Sequence, residues 1–173
     1  PMISRYWKEK EYQSIDNLYK ASSATILLMA LIMFLGFWLV IDDLFALMPK
    51  GEKFSMAKNM VWLLCVAKII DMGSGLNSQI LSLSDKYKVN LWFLLVAAGI
   101  NVALNWILIP KYGIEGSGVA TVITIVAYNI LKYSYLKINY NLSPFTKKTF
   151  YILALTLIAY LGVSYIPKFS YSL

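Results

Sequence analysis

One apolar stretch of the chain carries charged and polar residues at a regular spacing. Lys68, Asp71, Gly75, Ser78 and Ser82 recur at steps of 3, 4, 3 and 4 residues, which places them on one face of a helix. A lysine ammonium there offers positive charge to an anionic substrate group, and an aspartate can take part in ion or proton coupling. Two structural interpretations compete. The two charges neutralise each other as an intrahelical pair, or the lysine extends along the helix to the aqueous surface.

Other polar residues lie beside this face or in the next apolar stretch. Gly73, Gly75 and Asn77 predict either a helix break that exposes backbone dipoles to a ligand or close packing between helices. Asn101 and Asn105 lie one helical turn apart, where they either hydrogen-bond to a neighbouring helix or line a hydrated cavity. The candidate substrate-binding residues are Lys68, Asp71, Asn77, Asn101 and Asn105.

Several kinds of chemistry are excluded by residues that the sequence lacks. It contains no histidine and one cysteine, Cys65, so a disulfide within the chain, a zinc site and histidine-dependent acid–base catalysis are all ruled out. Cys65 is interpreted as a small buried hydrophobic residue. We expect no enzymatic activity, no cofactor and no metal.

The composition indicates that most of the chain is surrounded by lipid. Of the 173 residues, 59% are hydrophobic and 14% are charged, whereas a soluble domain has about 25% charged residues. A single core cannot bury this much apolar surface. The net charge of +7 comes from lysines between apolar runs, which is typical of membrane topology and argues against a nucleic-acid partner.

Five apolar stretches approach the roughly 20 residues that a helix needs to cross a bilayer. Their length and the lack of an alternating pattern favour helices, so we predict an all-α, polytopic transmembrane bundle of about five spans. In the fourth span, Gly116, Ala120 and Thr124 form a stripe of small residues that favours close approach of another helix. The predicted spans are 22–41, 60–83, 90–109, 117–136 and 150–166.

The connections suggest how these spans are organised. Residues 1–21 are predicted to form an amphipathic surface helix, 22–136 a four-helix unit, 137–149 a loop, and 150–173 a further span with a short tail. Asp42 and Asp43 are expected to cap a separate short helix that ends at Met48. If the spans alternate in direction, lysine and arginine are more numerous on the side that includes the amino terminus and the 137–149 loop. That side is therefore predicted to be cytoplasmic.

The third and fourth spans carry a recognisable motif. Residues 101–124, NVALNWILIPKYGIEGSGVATVIT, resemble bacterial polysaccharide-biosynthesis membrane proteins, the oligosaccharide-lipid flippases of the multidrug/oligosaccharidyl-lipid/polysaccharide exporter superfamily. In that family an apolar helix ends in an I-P-x-Y-G turn, and G-x-x-x-A-T opens the next helix. The matching residues are Pro110, Tyr112, Gly113, Gly116, Ala120 and Thr121.

The resemblance implies a fold and a set of partners. Family members have twelve to fourteen helices in two lobes, so the chain would supply helices nine to twelve of the second, C-terminal lobe and an accessory thirteenth helix. It begins with Pro1 and is interpreted as part of a longer transporter whose N-terminal lobe is missing. The other expected partners are membrane lipids and a lipid-linked oligosaccharide.

The function implied is translocation of an undecaprenyl-diphosphate-linked sugar unit across the bacterial inner (plasma) membrane, for O-antigen or capsule synthesis. A drug or metabolite exporter of the same superfamily, a membrane-embedded sugar polymerase or ligase, and a noncatalytic subunit of a glycan-assembly complex are the alternatives. The enzyme alternative is the weaker because the predicted outer loops offer only Asp42, Asp43, Glu52 and Glu115.

The sequence predicts that Lys68 contacts the diphosphate and that Asn101 and Asn105 lie near the sugars. Replacing Lys68 with alanine in the full-length protein should then abolish export of surface polysaccharide, because the cationic contact is lost. Export is measured at matched protein levels in the membrane. Unchanged export in Lys68→Ala would contradict this role.

Overall fold

The computed structural model describes residues 2–47 and 58–164, and their regular structure is α-helical, with no strand in these ranges. This confirms the predicted all-helical class. The described residues form six helices: α1 (Met2–Lys8), α2 (Tyr12–Leu47), α3 (Lys58–Gly73), α4 (Asn77–Ser82), α5 (Tyr87–Tyr140) and α6 (Lys147–Ser164).

Helices α2 and α5 are long and apolar enough to cross a membrane. Many of their large apolar side chains point away from the rest of the chain; Trp106, for example, is 83% exposed. An apolar surface this extensive requires lipid or another protein to cover it. The chain is therefore suited to a membrane, while the number of spans stays a prediction.

Helix α2 is longer than the sequence pattern predicts. A surface helix through residue 21, a span and a separate helix capped by Asp42 and Asp43 were expected, but one helix runs from Tyr12 to Leu47. The segment before it is reduced to α1 and a turn at Lys10, where φ is 57°. The prediction of a new helix at Asp42 is wrong because Asp42 lies within α2 and forms an ion pair with Lys58 of α3. Its predicted end at Met48 lies outside the described residues.

Helix α5 is a helical hairpin. Gly113 has φ 58° and ψ −138°, a conformation that breaks the helix and that glycine adopts without strain. Asn101 of the first arm meets Thr124 of the second, and Phe93 meets Tyr135, so the arms are antiparallel. These arms contain the third and fourth predicted spans, and the turn between them carries the I-P-x-Y-G residues.

Small residues allow the second arm of this hairpin to approach its neighbours. A Cβ atom at Gly116 would lie 2.4 Å from the carbonyl oxygen of Leu108 on the first arm. On another face, a Cβ atom at Gly118 would lie 3.1 Å from Cδ1 of Leu63 on α3. The predicted small-residue stripe therefore packs against the other arm of its own hairpin, and Gly118 faces α3.

The second predicted span is broken into α3 and α4. Gly75 lies between them with φ 62°, and a Cβ atom there would lie 2.8 Å from Cβ of Ser23 on α2. The Ser23 hydroxyl donates a hydrogen bond to the carbonyl oxygen of Gly73 at 2.6 Å. The helix therefore breaks here and α2 packs closely against the break, while exposure of backbone dipoles to a ligand stays a prediction.

A buried apolar cluster joins the start of α2 to α4, the end of α5 and the connection between α5 and α6. It comprises Ile15, Tyr19, Ile80, Leu81, Leu136 and Leu142. Trp7 of α1 closes it by donating its indole N–H to the carbonyl oxygen of Ile80 at 3.0 Å. Asp16 accepts a hydrogen bond from the backbone N–H of Ser143 at 3.0 Å, which fixes the connection between α5 and α6.

We expect Gly75→Ala to destabilise the protein, because alanine is strained at this φ and its Cβ would collide with Ser23. The cost should be on the order of 1–3 kcal/mol, seen as a lower melting temperature of the full-length protein in detergent. Gly36→Ala is the matched control, since nothing lies within 4 Å of a Cβ atom at Gly36. Equal melting temperatures for the two variants would contradict the described break.

Candidate functional site

A network of polar side chains connects the α3–α4 break with the second arm of α5. It consists of Lys68, Asp71, Asn77, Ser78, Asn129 and Lys132, and is called the polar network below. Asp71 lies near the end of α3, Asn77 and Ser78 open α4, and Asn129 lies one turn before Lys132 on α5. The break is what turns the α4 residues towards α5.

Asn129 is the central residue of this network. Its amide donates to Oδ1 of Asp71 at 3.3 Å and to the carbonyl oxygen of Ile125 at 3.0 Å. Its Oδ1 accepts a hydrogen bond from Asn77 at 2.9 Å. Asn77 and Asn129 are both buried, and the amide N–H of Asn77 depends on Oδ1 of Asn129 as its acceptor.

Lys132 lies at the buried end of the network. Its side chain is fully enclosed, with the residue 1% exposed, and Nζ donates to the Ser78 hydroxyl at 2.9 Å. Nζ also lies 3.7 Å from the centre of the Tyr128 ring, a favourable cation–π position. Within residues 2–47 and 58–164, Lys132 forms no ion pair. Of the three N–H donors of the ammonium group, Ser78 accepts one, and the Tyr128 ring faces the charge.

Lys68 lies at the opposite, exposed end. Its Nζ is 3.4 Å from Oδ2 of Asp71, and its side chain is 67% exposed. The intrahelical pair suggested by the spacing is therefore present. Through Asp71, Asn129, Asn77 and Ser78, consecutive contacts of 2.9–3.4 Å connect the exposed Lys68 to the buried Lys132.

A cavity of about 200 Å³ borders the network. Asn129, Tyr19 and Ser74 contribute polar groups to its lining, and the Tyr19 hydroxyl is buried with no hydrogen-bond partner among the described residues. Most of its exposed lining is apolar, so the cavity is a mainly apolar space beside the network. The lining residues are Tyr19, Ile70, Ser74, Val126, Asn129, Ile130, Tyr133, Pro144 and Phe145.

Asn101 and Asn105 lie in the first arm of α5, away from the polar network. Asn101 donates to the Thr124 hydroxyl at 3.2 Å, and Asn105 donates to the carbonyl and side-chain oxygens of Asn101 at 2.9 Å. The structure thus brings together Lys68, Asp71 and Asn77 among the predicted binding residues, and places Asn101 and Asn105 between the hairpin arms. The Asn101–Thr124 bond joins the two arms, whereas both bonds of Asn105 run to Asn101 on its own arm.

Asn129 and Lys132 are candidate residues that the sequence pattern did not single out. Lys132 lies near the end of the fourth predicted span. Its three-residue spacing from Asn129 is the same kind of signal that singled out Lys68 and Asp71, and it could have found this pair.

No group of three or more histidine, cysteine, aspartate or glutamate residues in the described ranges could hold a metal ion.

Comparison with known proteins identifies a distant relative. No protein-family model and no solved structure matches the chain. Over 136 residues, 79% of the chain, it is 24% identical to the probable low-salt glycan biosynthesis flippase Agl15 of Haloferax volcanii. The chain is thus similar to part of a glycan flippase. It spans 29% of the length of this archaeal relative.

We expect Asn129→Leu to destabilise the protein by about 1–3 kcal/mol, because it leaves the buried Asn77 amide without its acceptor. The measurement is the melting temperature of the full-length protein in detergent. Asn139→Leu is the control, since Asn139 lies on the same helix but is exposed and bonds only to a backbone oxygen. The network's structural role would be contradicted if both variants melted alike.

Proposed function

We propose that the chain is part of a transporter that flips a lipid-linked oligosaccharide across the membrane. The buried Lys132, which forms no direct ion pair among the described residues although the Asp71 carboxylate lies in the same network, carries this proposal. The similarity to a glycan flippase supports it. The specific substrate we propose is an undecaprenyl-diphosphate-linked sugar unit, moved across a bacterial inner membrane for surface polysaccharide synthesis.

The chemistry of such a substrate suits the polar network. Its diphosphate is anionic and its sugars carry hydroxyl groups, so the headgroup needs positive charge and water while the hydrocarbon tail stays in lipid. Lys68 offers charge at the exposed end of the network, and Lys132 offers it at the buried end. Amide and hydroxyl groups lie between them, where they can exchange hydrogen bonds with sugars.

Asp71 is proposed to balance the charge when no substrate is bound. Its two oxygens are divided between Lys68 and Asn129, so it links the exposed lysine to the buried part of the network. An arriving diphosphate would compete with Asp71 for Lys68. Displacement of Asp71 would then disturb the Asn129–Asn77 bond, which gives substrate binding a direct effect on the α3–α4 break.

The complete transporter is proposed to be the twelve-to-fourteen-helix exporter implied by the motif, with a further lobe completing the pathway. The chain spans only 29% of its relative, so transport is a property of the full-length protein. Its N-terminal side is proposed to be cytoplasmic. Rocking of two lobes would move the headgroup, and no covalent chemistry is required.

Lys132→Met in the full-length protein should reduce flipping at least tenfold, because the buried positive charge is removed while the side chain keeps a similar length. Lys132→Arg should retain more activity, since it keeps the charge. Flipping is measured in proteoliposomes loaded with lipid-linked oligosaccharide, as the fraction of glycan that becomes accessible to an external lectin.

Lys137→Met is the matched control, because Lys137 lies on the same helix but is exposed and bonds to Asn141. It should flip at the wild-type rate. Wild-type flipping by a folded Lys132→Met protein would refute the role of Lys132. Failure of the wild-type protein to flip the oligosaccharide, with transport of a soluble cation instead, would favour the drug-exporter alternative.

A further inference from the structure

A groove between α2 and α6 combines a basic end with an apolar floor. Its volume is about 630 Å³. Lys20, Lys147 and Lys148 lie at the basic end, and small or apolar side chains line the rest. The lining residues are Asn17, Lys20, Ala21, Ala24, Thr25, Leu28, Thr146, Lys147, Lys148 and Ile152.

The charge at this end is largely uncompensated. Lys20 is paired with Asp16, whose other oxygen accepts the Ser143 N–H. Lys147 and Lys148 are exposed and form no ion pair among the described residues. Two free ammonium groups beside a third lysine favour an anionic group.

The floor of the groove continues as an apolar stripe along α2. Leu28, Ile32 and Leu39 are exposed, and their spacing of 4 and 7 residues places them on one helix face. From Leu28 to Leu39 the helix rises about 16 Å, close to half of a hydrocarbon core of about 30 Å. The basic end and the stripe together have the dimensions of one lipid molecule in one leaflet.

We propose that this groove binds an anionic phospholipid, with its phosphate at Lys20, Lys147 and Lys148 and an acyl chain along Leu28, Ile32 and Leu39. A free phosphate ion would gain nothing from the apolar floor, whereas a phospholipid uses both parts. The groove is lined only by α2, α6 and the residue before α6, and the polar network lies on α3, α4 and α5. The bound lipid is therefore a resident lipid that ties α6 to α2, separate from the transported headgroup.

The proposal is tested with the purified full-length protein by measuring binding of phosphatidylglycerol and phosphatidylcholine in native mass spectrometry. The wild-type protein should bind phosphatidylglycerol more tightly, by roughly tenfold. Lys147→Gln/Lys148→Gln should abolish this preference. Lys86→Gln/Lys88→Gln removes the same charge from exposed lysines before and at the start of α5 and should leave the preference intact. Ala24→Leu, which fills the floor, should weaken binding of both lipids.

Three results would overturn the proposal. The wild-type protein could bind both lipids equally, or the Lys86/Lys88 control could lose the preference as fully as the Lys147/Lys148 variant. Thirdly, an equimolar polyprenyl diphosphate could displace phosphatidylglycerol, with this displacement lost in Lys147→Gln/Lys148→Gln. The groove would then belong to the transported lipid. The variants change exposed lysines or a small side chain, so we expect each to fold. Lipid binding is compared only among variants whose melting temperature equals that of the wild-type protein.

Discussion

The need to satisfy buried polar groups without water governs the described structure. In lipid an unpaired backbone or side-chain group costs several kcal/mol, so partners elsewhere stabilise the break between α3 and α4. The break after Gly73 is matched by the Ser23 hydroxyl, and the amide of Asn77 is matched by Asn129. These two bonds fix where α2 and α5 pack against the break, and they place Lys132 beside Ser78.

The same arrangement separates two kinds of lysine. Lys132 is enclosed by protein and interacts with a hydroxyl and an aromatic ring. Lys147 and Lys148 stay exposed above an apolar groove. A buried ammonium is costly and tends to mark a polar pathway, whereas exposed lysines at a helix end attract lipid phosphates at little cost. The two proposals therefore concern different faces of the chain and different ligands.

Helix type and the positions of two breaks follow from local sequence. The glycines at 73 and 75 and the P-K-Y-G turn mark places where the chain leaves helical geometry, and both Gly75 and Gly113 have positive φ. The helix predicted to start at Asp42 was wrong because capping residues act as caps only where a helix starts. Residues 12–47 contain no proline and one glycine, Gly36, so the helix continues past Asp42. Asp42 then forms an ion pair with Lys58 and does not cap a helix.

The sequence by itself determined that the chain is all-helical and suited to lipid. Its composition and the length of its apolar runs decide whether a helix is more stable in lipid or in water. It also indicated the Lys68–Asp71 pair, since both residues lie on one helix three positions apart. Only the tertiary structure decided which lysine is buried, because Lys132 is 54 residues from Ser78. Contacts between helices depend on the break, the hairpin and small-residue packing acting together, and helical periodicity describes one helix at a time.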